Sequence, residues 1–201
     1  AGTACVARLA AVAAQLQYHF FEFVFIDDCS SDTTPAILAQ LKAEDSRIEI
    51  IRFARNFGSH AAVEAGLIYC RGDAAVIMAS DLQDPPEVLV QFIRKWEEGY
   101  DVVYAIRRKR KENAVKRLAY FIFYRILNKV STVNIPLDSG DFSLMDRKIV
   151  DHLNSFTERN RFLIGMRAWL GFRQVGLEYE REARFYGKPK YTFFKLIRLA
   201  F

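Results

Sequence analysis

Two acidic sites stand where the chain leaves an apolar run. Phe21 to Ile26 ends on Asp27-Asp28, and Ala74 to Ala79 leads through Ser80 into Asp81-Leu82-Gln83-Asp84-Pro85-Pro86. A single Asp after a strand is an ordinary turn former. Two at one sheet edge point to ligand binding, because open α/β sheets take their ligands beyond the carboxyl ends of the strands. A third acidic loop, Asp138-Ser139-Gly140-Asp141, sets Asp141 behind a glycine that frees the backbone. Cations gather elsewhere: Arg107 to Lys111 is wholly basic, and Arg181, Arg184 and Lys190 follow late in the chain.

Alternating strands and helices must position these groups. Residues 4–16 are Ala-rich with helical spacing, and Phe21 to Ile26 reads as a buried strand. Thr34-Pro35 opens a helix to about Glu44, and Ile48 to Phe53 is the next strand. Ser59 is the expected cap of a helix reaching Cys70, and Gly72-Asp73 turns the chain into strand Ala74 to Ala79. Pro85-Pro86 opens a helix to about Glu98, Gly99 stops it, and Asp101 to Ile106 is a fourth strand. Such alternation predicts an α/β fold with a doubly wound, mostly parallel sheet. Further on, a helix over 113–130 carries Leu118, Tyr120, Phe121, Ile122, Phe123 and Tyr124, and a turn and strand cover Leu137 to Asp146. Arg159 to Leu170 reads as a helix and Phe172 to Glu180 as a strand. Tyr191 to Phe201 surrounds Lys195 and Arg198 with apolar residues, the pattern of an interfacial helix.

With 201 residues, 51% hydrophobic and 26% charged, the chain fits one domain with a small appendage and is globular rather than disordered. Three cysteines without a C-x-x-C pair argue against a disulfide framework or zinc site and for a reducing, cytosol-facing location. No apolar run reaches the length of a transmembrane helix. The ends at Ala1 and Phe201 both fall inside helical patterns and read as cut from something longer. Basic runs beside aromatic, amphipathic segments favour an anionic membrane surface, and no nucleic-acid-binding motif is present. His60 and His152 read as solvated or structural, and Trp96 and Trp169 as core or interface packing.

In order and spacing, the segments FIDDCSSDTT, RNFGSHAAVEAGL, ASDLQDPPE, LDSGDFSLMDRK and YEREARFYGKPKY resemble family 2 glycosyltransferases. Within that family the resemblance is to the polyprenyl-phosphate branch, which includes bactoprenol glucosyltransferases and dolichol-phosphate mannose synthases. It implies a GT-A-like nucleotide-sugar domain over 1–182, then an acceptor-phosphate segment and interfacial helix over 183–201. Asp27 and Asp28 match the acidic pair that holds the donor's base and ribose. Asn56 and Gly58 match the segment beside the nucleotide, and Ser80 lies next to it. Asp81 and Gln83 take the place of the D-x-D motif that holds Mg²⁺ or Mn²⁺ on the diphosphate. One or two carboxylates suffice for Mg²⁺ when substrate phosphates complete its shell. Asp141 matches the acidic residue nearest the sugar. Arg184, Gly187 and Lys190 match the R-x-x-G-x-x-K segment that binds the acceptor phosphate, with Arg117 and Arg181 as secondary candidates. Clustered Arg suits that role because a guanidinium fork meets phosphate at two points.

The chain departs from the pattern in three ways. Ala79 replaces the first Asp of D-x-D, Pro189 replaces a serine, and the opening strand with its proline–tyrosine–asparagine–glutamate loop is absent. The implied reaction is inverting transfer of a sugar, glucose from UDP-glucose as first choice, onto undecaprenyl or a similar polyprenyl phosphate at the cytoplasmic face of the membrane. GDP-mannose with a dolichol-type acceptor and a UDP-linked aminoarabinose are alternatives within the same chemistry. A degenerate, non-catalytic nucleotide- or membrane-binding scaffold is the rival class. The lack of a Gly-rich phosphate loop disfavours a nucleotidyltransferase, and a homo-oligomer stays open.

Overall fold

The computed structural model describes residues 2–107, 139–158 and 162–181. Helix α1 (Gly2–Gln15) leads into strand β1 (Phe23–Asp27), helix α2 (Thr34–Glu44), strand β2 (Ile48–Arg52) and helix α3 (Ser59–Tyr69). Strand β3 (Ala74–Ile77), a 3₁₀ turn (Pro86–Val88), helix α4 (Leu89–Glu97) and strand β4 (Val102–Arg107) follow. After these come strand β5 (Ser139–Asp146), helix α5 (Arg147–Ser155), helix α6 (Leu163–Trp169) and strand β6 (Gln174–Tyr179). The patterns at 113–130 and 191–201, and the basic run beyond Arg107, lie outside the described residues.

The chemistry at each boundary explains where these elements start and stop. Pro35 occupies the first turn of α2, where its missing N–H costs nothing, and Asp32 Oδ1 accepts the Thr34 amide at 2.9 Å. The Pro85-Pro86 pair does not open one continuous helix as expected: it gives the 3₁₀ turn first, and α4 begins at Leu89. Gly99, at φ +91, closes α4 in a conformation other residues rarely adopt. The cap of α3 also differs from the expected Ser59. Gly58 holds that position at φ 93 without a side-chain cap bond.

The sheet is α/β as expected, but it is mixed and lies in two pieces. β1 and β2 pair in parallel, and a second sheet has the order β3-β5-β4-β6. β4 and β6 are parallel, whereas β5 runs antiparallel to both β3 and β4. Among the described strands, β5 is the one that runs against its neighbours, and the other pairings are parallel. Val102 and Val103, neighbours on β4, are each 0% exposed, so both faces of that strand are covered. Phe92, Phe142 and Leu144 form the core on one side, and Met145, Ile149, Val150 and Leu153 form it on the other. Each such side chain contributes about 1.5–3 kcal/mol by leaving water. Val6, Ala13, Phe23, Leu41 and Ile48 make a third cluster that holds α1 and α2 against β1 and β2.

Between β1 and β3 lies a largely apolar cleft of about 740 Å³, lined by Phe25, Ile26, Ala75, Ile77 and Leu67 among others. Among the described residues both strands end their sheets there, since β1 pairs only with β2 and β3 only with β5.

Gly176 sits on β6 opposite Tyr104, and a Cβ there would lie 2.8 Å from the Tyr104 ring and closer still to the Ile106 side chain. We expect Gly176→Val to lower the unfolding free energy by about 1–3 kcal/mol, read as a lower urea midpoint at unchanged slope.

Candidate active site

The first part of the site is a latch between two loops. Asp28 follows the last residue of β1 and reaches the turn that starts α3. Its Oδ1 accepts the Phe57 amide at 2.6 Å and its Oδ2 the Gly58 amide at 2.9 Å. Asn56 Nδ2 donates to the Asp28 carbonyl at 3.3 Å. Three sequence-predicted residues, Asp28, Asn56 and Gly58, are thus in direct contact. The carboxylate meets the amides ahead of α3, where a helix N-terminus also favours negative charge.

Asp27 faces the other way. It is 4% exposed, and its Oδ1 accepts the Ser30 amide at 3.0 Å. Arg52 Nε, its register partner on β2, stands 3.2 Å from Oδ2, an ion contact without hydrogen-bond geometry. This acidic pair therefore splits: one carboxylate joins the two strands and the other latches the α3 turn.

The second part follows β3. Ala79 and Ser80 are exposed, Asp81 and Gln83 are half-buried, and Leu82 between them is 3% exposed at φ 58. Burying Leu82 in this left-handed conformation turns the chain sharply around it. The Gln83 amide donates to Asp81 Oδ1 at 3.1 Å, so the two predicted metal-binding side chains share one tight turn. Among the described residues no group of three or more His, Cys, Asp or Glu could hold a metal. One carboxylate and one amide oxygen nonetheless suit a hard divalent cation whose remaining ligands come from a diphosphate and water.

The third part is Asp141, exposed near the start of β5. Gly140 before it admits the Arg107 guanidinium, whose Nη2 lies 3.0 Å from where a Cβ would be. Arg181, a predicted phosphate-binding residue, has its Nε 3.6 Å from Asp84 Oδ1. Arg117, Arg184 and Lys190 lie outside the described residues. His60 and His152 are exposed, on α3 and α5. Trp96 donates its Nε1 to Asp146 at 2.8 Å, and Trp169 is 63% exposed against Phe156.

Three residues of this region were not singled out by the sequence. Arg167 on α6 is 3% exposed, and among the described residues its Nε and Nη2 have no hydrogen-bond partner. Its guanidinium lies 5.3 Å from the Tyr104 ring centroid. Burial pushes its pKa down to about 10, and the charge of Asp141 pulls the other way. A cation inside the apolar stretch Phe162 to Leu170 was the available signal. Asp84 and Tyr179 are the others, buried and hydrogen-bonded to each other.

The latch makes a direct prediction. Asp28→Ala removes both acceptors of the Phe57 and Gly58 amides, each bond to a charged acceptor being worth about 1.5–3 kcal/mol. Hydrogen exchange at those two amides should speed up by about tenfold or more, while amides of β4 and β5 keep their protection. Unchanged exchange at Phe57 and Gly58 would mean that the carboxylate does not hold the turn.

Comparison with known proteins supplies the family. The profile described as Glycosyl transferase family 2 matches residues 5–153. An uncharacterized glycosyltransferase of Bacillus subtilis is 44% identical over 181 residues, covering 90% of this chain and 56% of that protein. The bactoprenol glucosyl transferase of Shigella phage SfX is 39% identical over 187 residues, covering 92% and 61%. This chain therefore spans little more than half the length of these relatives. The mannosyltransferase PcManGT from Pyrobaculum calidifontis, solved with GDP-Man and Mn²⁺, matches with a TM-score of 0.54 at 17% identity, over 78% of this chain and 45% of that one. That likeness supports a GT-A-like fold. On the family profile and these relatives, the chain belongs to glycosyl transferase family 2.

Proposed function

We propose that the protein transfers glucose from UDP-glucose to a polyprenyl phosphate at the cytoplasmic face of a membrane, with inversion at the anomeric carbon. The observation that carries the reading is the convergence of Asp28, Asn56 and Gly58 in one latch, on a chain 39% identical to a bactoprenol glucosyl transferase. In this reading Asp27 and Asp28, with Asn56, Gly58 and Ser80, form the nucleoside side of the donor site. Asp81 and Gln83 would hold Mg²⁺ or Mn²⁺, which when bound offsets charge on the departing diphosphate. Arg181, with Arg117, Arg184 and Lys190, receives the acceptor phosphate, while the basic and aromatic segments lie on an anionic bilayer.

Asp141 has a narrower task here than in transfer to an alcohol. A hydroxyl acceptor must lose its proton to a base, whereas a phosphate monoester has a second pKa near ~6 and is already an anion at neutral pH. Asp141 therefore orients the acceptor, and the Arg and Lys groups offset repulsion between two phosphate-bearing substrates.

Full-length protein in membranes should release UDP from UDP-glucose only when polyprenyl phosphate is added, with glucose appearing on the lipid. Asp81→Asn or EDTA should cut that rate by ~100-fold or more, as losing several kcal/mol of charge stabilisation implies. Full activity of Asp81→Asn in EDTA would remove the metal from the proposal, and transfer from GDP-mannose alone would change the donor.

The acid limb of kcat/KM provides a second test. It should follow the ionisation of the acceptor, moving when a phosphonate of different pKa replaces the phosphate. It should also stay in place in Asp141 variants that keep some activity. A limb that ignores the acceptor and shifts with Asp141 would make that residue the base.

A further inference from the structure

Asp84 lies in the same turn as Asp81 and Gln83 but has no part in the site as drawn so far. It is 4% exposed, and the Tyr179 hydroxyl donates to its Oδ1. Arg181 Nε stands 3.6 Å from the same oxygen. Burial and the hydrogen bond with Asp84 push the Tyr179 pKa up, and the hydrogen bonding and charge of nearby Arg107 pull it back down. Arg107 in turn lies across Gly140, the residue before Asp141. A polar line, Asp84 to Tyr179 to Arg107, therefore runs from the turn after β3 to the start of β5, with Arg181 as a branch. It joins the loop that carries Asp81 to the strand that carries Asp141.

The packing of this region does not require that line to be polar. The Tyr179 ring sits in the apolar core with Phe142 edge-on at 5.7 Å, and phenylalanine would fill the same space. What the hydroxyl adds is the link between a buried carboxylate and a guanidinium. Such a group is kept at a cost, because a carboxylate out of water loses several kcal/mol unless it is paired. Among the described residues Arg107 Nε, shielded from solvent, has no hydrogen-bond partner.

We propose that Asp84 and Tyr179 are positioning residues. Through Tyr179, Asp84 fixes Arg107 across Gly140, and by direct pairing it fixes Arg181. The two guanidiniums are thereby held toward a phosphate group at a set distance from Asp81. Asp84 touches neither substrate and acts through the two arginines. The identity of that phosphate as the acceptor's rests on the transfer reaction proposed above.

The test compares Tyr179→Phe, Asp84→Asn and the double variant with the unaltered full-length protein. Tyr179→Phe should raise KM for polyprenyl phosphate about tenfold, as expected for losing a hydrogen bond within a charged network. KM for the nucleotide-sugar should stay within about twofold. The double variant should be no worse than the poorer single one, because both changes break one line. Multiplying losses, or an unchanged acceptor KM with only a lower Tm, would overturn the positioning role.

A second readout needs no turnover: titration of inorganic phosphate alone, followed by the arginine Nε–H resonances. Arg107 and Arg181 should shift in the unaltered protein, with about tenfold weaker affinity in Tyr179→Phe. If this holds while no lipid-linked sugar forms, the transfer reading fails and the positioning role stands. If transfer proceeds and Tyr179→Phe matches the unaltered protein in both readouts, the positioning role fails alone.

Discussion

The antiparallel run of β5 between β3 and β4 is the constraint on which the site depends. A strand that runs against its neighbours starts where they end. Ile77 near the end of β3 pairs with Ser143, and Ile106 near the end of β4 pairs with Ser139. Asp141 is thereby delivered to the sheet edge where β3 leads into Asp81 and β4 finishes at Arg107. A parallel strand in the same slot would deliver its first residues to the opposite edge. The far end of β5 is tied down by Asp146, which caps α5 through the Lys148 amide at 3.1 Å and accepts from Trp96. Arg147 next to it donates to the Gly72 carbonyl at 2.8 Å from Nε and to the Cys70 carbonyl at 3.1 Å from Nη2. With both neighbours paired and its end anchored, β5 cannot slip by one residue without turning Phe142 and Leu144 out of the core.

Much of this was legible in the sequence, and what was not has a physical reason. The strands at Phe23, Ile48, Ala74 and Val102 follow from short apolar runs, α2 from the proline in its first turn, and the end of α4 from Gly99. The direction of β5 is not a local property. Its residues would read the same in either orientation, so the local pattern leaves the direction open. The Ser59 cap failed because the chain enters α3 through Gly58 at φ 93, a backbone conformation that glycine adopts readily and serine rarely does. The split of Asp27 from Asp28 follows from the alternation of strand side chains, once β1 is known to end at Asp27. Tyr179 and Asp84 are 95 residues apart, and no local pattern connects them.

Three buried charges show how differently such groups are compensated. Asp27, 4% exposed, has a backbone amide and Arg52 beside it. Asp84, equally buried, has the Tyr179 hydroxyl and Arg181. Arg167, 3% exposed, has the face of Tyr104 and the more distant charge of Asp141. A cation over a ring contributes about 0.5–2 kcal/mol, whereas removing a charge from water costs several. Apolar packing of α5 and α6 with β4 and β5 has to offset the difference, and it does so with side chains almost wholly out of water, Val102, Met145 and Ile149 among them.

Among the described residues Arg167 is therefore the buried charge with the least compensation. Asp27 with Arg52 and Asp84 with Arg181 are ion pairs in which each buried carboxylate already has a cation beside it. An under-compensated cation behaves differently, because any anion that comes close relieves part of a cost already incurred in folding. A phosphate bound beside Asp141 would do this, and the relief would count toward its affinity. The same field would act unfavourably on Asp141 if Arg167 were neutralised, leaving a carboxylate next to a phosphate with less positive charge behind it. Charge in this site is thus arranged in depth: carboxylates at the loop ends, with guanidiniums beneath and beside them on β4, α6 and the segment after β6.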